Sequence, residues 1–174
     1  MASQPRDKKM TQYKFENNTL KLSVKKSLFL IRAIMFFFAF LFFVSPTIAM
    51  ISSVVDGKDF HFGFIIGIGT FGLMGFYLLR IALWNSFGSE EIKFDKNTVT
   101  YEADYGWFKD GIKTLEIIPL VFSIKQIGYE EDNIGTLIIG EGDEKIESVT
   151  KMPLDELEKL IKTLNRYVVV GIMT

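Results

Sequence analysis

The residues that could carry chemistry are few. Gly67-Ile68-Gly69-Thr70-Phe71-Gly72 matches the G-x-G-x-x-G dinucleotide fingerprint letter for letter. That fingerprint works where a strand turns into a helix and its backbone amides face a pyrophosphate. Here it lies inside an uncharged apolar run, residues 62–79, which predicts helix rather than loop, so no nucleotide site is assigned. His61 is the single histidine, and the chain has no cysteine. A metal site or a nucleophilic triad needs several convergent groups, so His61 is expected to be a solvated residue. Without cysteine there is no disulfide framework, thiolate site or cysteine lipidation. Glu130-Glu131-Asp132-Asn133 is too short and wrongly spaced for a calcium-binding loop and reads as a solvated turn. Asn17-Asn18-Thr19 has the form of a glycosylation sequon, which goes unused in a cytoplasmic segment. The residues thus assign no catalytic role, no metal and no cofactor, and the expected protein is not an enzyme.

Two surface signals remain. Recognition of a phosphorylated headgroup would need clustered Lys and Arg, and the loops offer only Lys93, Lys96 and Lys109 amid acids. Tyr105-Gly106-Trp107-Phe108 is different. A turn tip rich in aromatics is unusual for an exposed loop, and aromatics favour the membrane–water interface. Tyr105, Trp107 and Phe108 are therefore candidates for contact with the inner leaflet or with a protein partner. The alternative is that Trp107 folds back onto the sheet.

These residues are positioned by two apolar stretches, 33–55 and 62–79, separated only by residues 56–61. A helix needs about 20 apolar residues to cross a hydrocarbon core of ~30 Å. Backbone groups in lipid must be satisfied within the segment, so both stretches are predicted to be helices, about 28–55 and 62–84. Pro46 is expected to kink the first, and Arg80 to snorkel at the edge of the second. A buried helix pair in a soluble protein would rarely be apolar on every face for this length. A cleaved signal peptide is also disfavoured: the first stretch is too long and no A-x-A-like site follows it. Gly63 and Gly67 form a small-xxx-small pair, and Gly69, Gly72 and Gly75 recur every three residues. These glycines are expected to let helices approach closely, the partner being the first helix of the same hairpin or a second copy of the chain.

Charge orients the hairpin. Residues 1–26 carry seven bases against two acids, whereas the link has Lys58 against Asp56 and Asp59. The positive-inside rule then keeps both the basic arm and residues 88–174 in the cytoplasm. The expected location is an inner membrane crossed twice, both termini inside, with Trp84 and Tyr77 near the inner interface. From Gly88 onward there are ten bases and seventeen acids, so the arm is drawn to an anionic leaflet and the domain repelled. A basic stripe for nucleic acid is absent from the sequence.

Residues 88–174 read as strands followed by one helix. Residues 91–95 alternate, Asp95-Lys96-Asn97 makes a turn, and 98–105 alternate with Val99, Tyr101, Ala103 and Tyr105 on one face. After a loop at 106–111, further strands are expected at 112–117 and 121–129, with Ile124 and Ile127 in the core. A hairpin is expected from 136–139 and 145–149. Leu154, Leu157, Leu160, Ile161 and Leu164 form the apolar stripe of a helix over about 153–167, with Asp155 and Glu156 at its dipole's positive end. Residues 167–173 are expected to be a short strand or a packed tail. Residues 19–24 alternate after the turn signal Asn17-Asn18 and are expected to add a strand to the same sheet.

The order of short strand, two-helix hairpin, strand–turn–strand and final helix resembles bacterial membrane proteins that carry a pleckstrin-homology-like domain after a transmembrane hairpin. The likeness rests on Trp84, Phe87-Gly88 and Glu90 at the junction, and on Ile118-Pro119-Leu120 followed by Ile124 and Ile127. It covers roughly residues 20–164. It implies an α+β membrane protein in which a strongly bent antiparallel sheet is capped by the C-terminal helix; fold alone implies little about activity. The functional expectation is a non-enzymatic interaction module held at the membrane, binding a protein partner. The alternative is an accessory or immunity-like subunit whose hairpin acts on another membrane protein. The domains expected are 1–26, 27–87 and 88–174.

Overall fold

The computed structural model describes residues 11–57, 59, 61–96, 98–116 and 120–171. The chain runs β1 (Tyr13–Glu16), β2 (Thr19–Ser23), α1 (Phe29–Val55), α2 (Phe62–Phe87), β3 (Ser89–Phe94), β4 (Thr98–Asp104), β5 (Lys109–Glu116) and β6 (Phe122–Ile127). A 3-10 turn at Glu130–Asp132 follows, then β7 (Ile134–Glu141), β8 (Glu144–Glu147), β9 (Met152–Pro153) and α3 (Leu154–Gly171). Two compact units result. One is Lys25–Gly88 together with Tyr105–Phe108. The other comprises the described parts of Met1–Val24, Ser89–Asp104 and Lys109–Thr174.

In the helical unit α1 and α2 pack against each other along their length. The rings of Phe42 and Phe71 lie 5.6 Å apart, and the Ser27 hydroxyl donates to Asn85 Oδ1 at 3.0 Å. α1 runs through Pro46 as one element. Proline has no N–H for the carbonyl of Phe42, while the Thr47 hydroxyl donates to the carbonyl of Phe43 at 3.0 Å. α2 extends three residues beyond the expected end, to Phe87.

In the other unit the strands expected as a bent antiparallel sheet lie in two hydrogen-bonded sheets. One has the order β1-β2-β3-β4-β5; in the other, β6-β7-β8 is joined by β9 pairing with β7. The segment at 19–24 does join the sheet: β2 pairs antiparallel with β3, Leu20 opposite Ile92 and Ser23 opposite Ser89. β1, not anticipated from the sequence, pairs with β2 across the turn Asn17-Asn18. Both asparagines have positive φ, 47° and 59°, as a two-residue hairpin turn of the twist-matching kind requires. Glu141 pairs with Glu144, so the β7–β8 hairpin turns on Gly142-Asp143.

The core of this unit is built from the two alternating faces and the helix stripe. Leu20, Leu22, Ile92, Val99, Ile139, Leu157, Leu160 and Leu164 have no exposed surface. Phe122 is buried, whereas Ile124 and Ile127 are only half-buried; β6 is an edge strand and so is covered incompletely. Of the segment 167–173, expected as a strand or packed tail, the described part is the last turn of α3, which reaches Gly171; residues 172 and 173 lie outside the described residues. Tyr167 lies on that turn, its ring 5.0 Å from Phe15 and 6.1 Å from Phe94. Ile118 and Pro119, quoted for the resemblance, lie outside the described residues.

Candidate functional site

The aromatic tip has the clearest local geometry. β4 and β5 are joined by a tight turn, not by the six-residue loop expected at 106–111. The Tyr105 amide donates to the Phe108 carbonyl at 2.9 Å, leaving Gly106-Trp107 as the turn. Gly106 has φ +87°, and a Cβ there would lie 2.7 Å from Cβ of Phe87. Positive φ at the first turn position and a close neighbour both demand glycine.

The turn lies along α2. Phe108 stacks on Phe76 with ring centroids 6.1 Å apart and on Tyr105 at 4.8 Å. Tyr105 also meets Trp84 at 5.1 Å. Arg80 Nε donates to the Tyr105 hydroxyl at 3.0 Å, and its guanidinium carbon lies 4.7 Å from the Tyr105 ring centroid, within cation–π range. Trp107 does not fold back: it is 64% exposed. Tyr105 and Phe108 thus fix the tip on the helix, and Trp107 is presented outward.

The five glycines part company. A Cβ on Gly75 would lie 3.0 Å from Phe43 Cε2 and 3.1 Å from the Ala39 carbonyl, so this glycine permits close contact with α1. A Cβ on Gly63, Gly67, Gly69 or Gly72 would meet nothing within 4 Å. Within the hairpin only Gly75 lets α2 approach α1, which leaves a second copy of the chain as the expected partner of the other four. A three-residue repeat drifts around a 3.6-residue helix, so it cannot stay against one neighbour. Gly63 and Gly67 instead line a groove of about 330 Å³ with Ser45, Pro46 and Ala49.

The fingerprint Gly67–Gly72 is continuous helix within α2, so its amides are committed to helical bonding. His61 is the exposed residue preceding α2. Among the described residues, no group of three or more His, Cys, Asp or Glu could hold a metal ion.

Sequence reasoning missed the most enclosed polar group. Glu90 has no exposed surface. Its Oε1 accepts from the Tyr101 hydroxyl at 2.7 Å and the Val149 amide at 2.6 Å; its Oε2 accepts from the Thr150 amide at 2.9 Å. One side chain thus ties β3 and β4 of one sheet to the segment that follows β8 in the other. The signal was present: period two puts Glu90 on the same face as Ile92 and Phe94, the core face of β3.

The opposite face of β3 carries an ion-pair chain. Glu91 contacts Lys21 and Lys109 at 3.3 Å each, and Lys109 reaches Glu102 at 2.7 Å. Partial burial would raise the Glu91 carboxyl, but hydrogen bonds from Lys109 and Lys21 outweigh it and hold the group below its ordinary value. The bond to Glu102 raises Lys109 above the usual lysine range, against some desolvation.

No protein-family model matches this chain, and neither does any curated protein or solved structure.

Proposed function

We propose that this chain is an integral membrane protein. In this reading α1 and α2 cross the bilayer as a hairpin and hold a pleckstrin-homology-like domain at the cytoplasmic face, where the domain binds a protein partner without catalysing a reaction. The observation that carries the reading is the surface of the two helices. Their 18-residue windows have mean hydropathies of 2.4 and 1.9, yet only 6% of each window is buried. Helices that apolar and that uncovered are suited to lipid surroundings, which supports the reading. Register supplies a second support. Ser23 and Ser89 are partners in adjacent strands, so the chain leaves one sheet for the helices and returns to the same sheet. An inserted hairpin then has both flanks on one side, and the seven bases of residues 1–26 favour the cytoplasm.

Two antiparallel sheets, with α3 against β6 and β7, are compatible with the pleckstrin-homology-like reading. Glu90, the fully buried carboxyl, is engaged by structural donors, which suits a binding module. The acidic balance of residues 88–174 favours a partner with a basic surface. Reporter fusions test the topology: a reporter after Thr174 is expected to be active inside, and one inserted at Lys58 outside. Photo-cross-linking in native membranes tests the interaction, and recovery of no specific protein would refute it.

The open groove beside Pro46 favours a second reading, in which the hairpin itself acts on another membrane protein. Replacing the hairpin by an unrelated one separates the two. A cross-linked partner that is retained belongs to the domain, and one that is lost belongs to the helices.

A further inference from the structure

We infer that the Tyr105–Phe108 turn is a lipid-interface anchor, with Trp107 seated among the headgroups of the inner leaflet. The inference rests on the proposed insertion of the hairpin and adds a contact that insertion alone does not require.

Depth along α2 decides the level. At 1.5 Å per residue, Phe76 lies about 21 Å from Phe62 along the axis, Arg80 about 27 Å and Trp84 about 33 Å. The hydrocarbon core is ~30 Å thick. With Phe62 at one boundary, the stretch from Phe76 to Trp84 straddles the other. The turn is fixed to that stretch at three places: Phe108 on Phe76, Tyr105 on Arg80 and Tyr105 on Trp84. Trp107 is therefore carried by a turn held between levels about 9 Å inside that boundary and about 3 Å outside it.

The chemistry of each group fits this level. Phe108 lies deepest, where a ring without a polar atom belongs. Tyr105 gives its hydroxyl and ring face to Arg80, so the guanidinium near the boundary is met by an acceptor and a π face. Trp107 has an apolar body and one N–H donor, the combination that gathers in interfacial belts. The tip backbone is closed by the Tyr105–Phe108 bond, which lowers the penalty for leaving water. Its exposure is also continuous with the lipid-facing surface of α2, where Leu73, Phe76 and Tyr77 are exposed. A docked protein would have to displace lipid from that belt, and for this reason lipid is the assigned occupant.

The test uses the full chain in phosphatidylcholine–phosphatidylglycerol vesicles. The chain has two tryptophans, so Trp84→Phe leaves Trp107 as the only one. A reference chain carries Trp84→Phe, Trp107→Phe and Leu73→Trp and reports insertion of α2. Trp107 is expected to emit to the blue of its value in unfolded chain. It should be quenched more by lipids brominated near the headgroup than by lipids brominated at the chain end, and shielded from aqueous iodide. Quenching of the Leu73→Trp probe by bromolipid, with Trp107 open to iodide and untouched by bromolipid, would overturn the anchor and leave the hairpin reading intact. Shielding of Trp107 from both quenchers would also overturn it, in favour of a protein contact. If neither probe is quenched by bromolipid, both readings fail. Because Trp84 touches Tyr105, a second measurement keeps Trp84 in place. A nitroxide on Trp107→Cys, the only cysteine in that chain, should be relaxed more by oxygen than by a soluble nickel chelate.

Discussion

Replacing Glu90 is expected to unfasten the sheet unit at its most enclosed point. The magnitude follows from its three donors. Glu90→Ala takes the acceptor from the buried Tyr101 hydroxyl and Thr150 amide, each costing about 1–3 kcal/mol, and from the part-buried Val149 amide, which costs less. Some relaxation is expected, so the total should be on the order of 4–6 kcal/mol, a large share of the ~5–15 kcal/mol that holds a typical domain. Glu90→Gln discriminates more sharply. Its amide keeps one oxygen, which can serve the two donors now on Oε1. Its nitrogen then faces the Thr150 amide, donor against donor, a loss of about 2–3 kcal/mol. Tyr101→Phe removes one bond and its donor together, for about 1 kcal/mol. The ranking Ala, then Gln, then Tyr101→Phe should appear in pulse proteolysis of the full chain in detergent across a urea series. Amide exchange gives the local readout: Val149 and Thr150 should lose protection in Glu90→Ala. The reasoning is refuted if Glu90→Ala unfolds within about 0.5 kcal/mol of the parent, the range of an ordinary surface substitution, while both amides stay protected.

Other expectations concern the turn, the helices and the charge chain. Gly106→Ala should destabilise by about 1–3 kcal/mol, since it forces a side chain into positive φ and against Phe87; unchanged thermal unfolding would contradict the turn. Gly75→Leu should loosen the hairpin by about 1–3 kcal/mol through overpacking, whereas Gly67→Ala should leave thermal stability in detergent intact. Equal loss from both would mean that the open glycines are covered. Glu91 is held below the carboxyl value of 4.5, so its contribution is present above that value and is lost as pH falls through the lowered one. Lys109 is raised above 10.5, so its contribution is full below that value and is lost as pH rises through the raised one. Stability of Glu91→Gln relative to the parent should therefore be lowest near neutral pH and recover toward acid. Molar salt should shrink the difference, because Lys109 is solvent-exposed; a pH-independent difference would refute the ion-pair account.

What was legible in the sequence was whatever repeats locally. Val99, Tyr101 and Ala103 alternate along β4 because one face is buried, and Leu157, Leu160 and Leu164 recur because one stripe of α3 is buried. β2 could be read for the same reason. β1 could not: Tyr13-Lys14-Phe15-Glu16 is four residues long, and it is defined by its partner rather than by its own pattern. The division into two sheets is likewise a tertiary fact, falling in the stretch between β5 and β6. The burial of Glu90 was not legible locally because its donors lie 11, 59 and 60 residues away. The aromatic tip was recognisable as unusual, but its seat on α2 depends on Phe76, Arg80 and Trp84, which precede it by a whole strand pair. The glycines were legible as a smooth helix face, but repetition alone does not say which of them meets α1, and only Gly75 does.

The pairing of Ser23 with Ser89 also sets an order of assembly. β2 leaves the ribosome long before its neighbour β3, and until both helices have been made the N-terminal strands are only a two-stranded ribbon, marginal in water. Closing the five-stranded sheet waits for a contact across 66 residues, a slow kind of step. The sheet is thus completed only after the whole of α1 and α2 has been made, so an intact sheet reports a chain translated past both helices. By the same logic, a fragment cut at Gly88 lacks two of the five strands and exposes the flank of β3, a bare edge prone to aggregation.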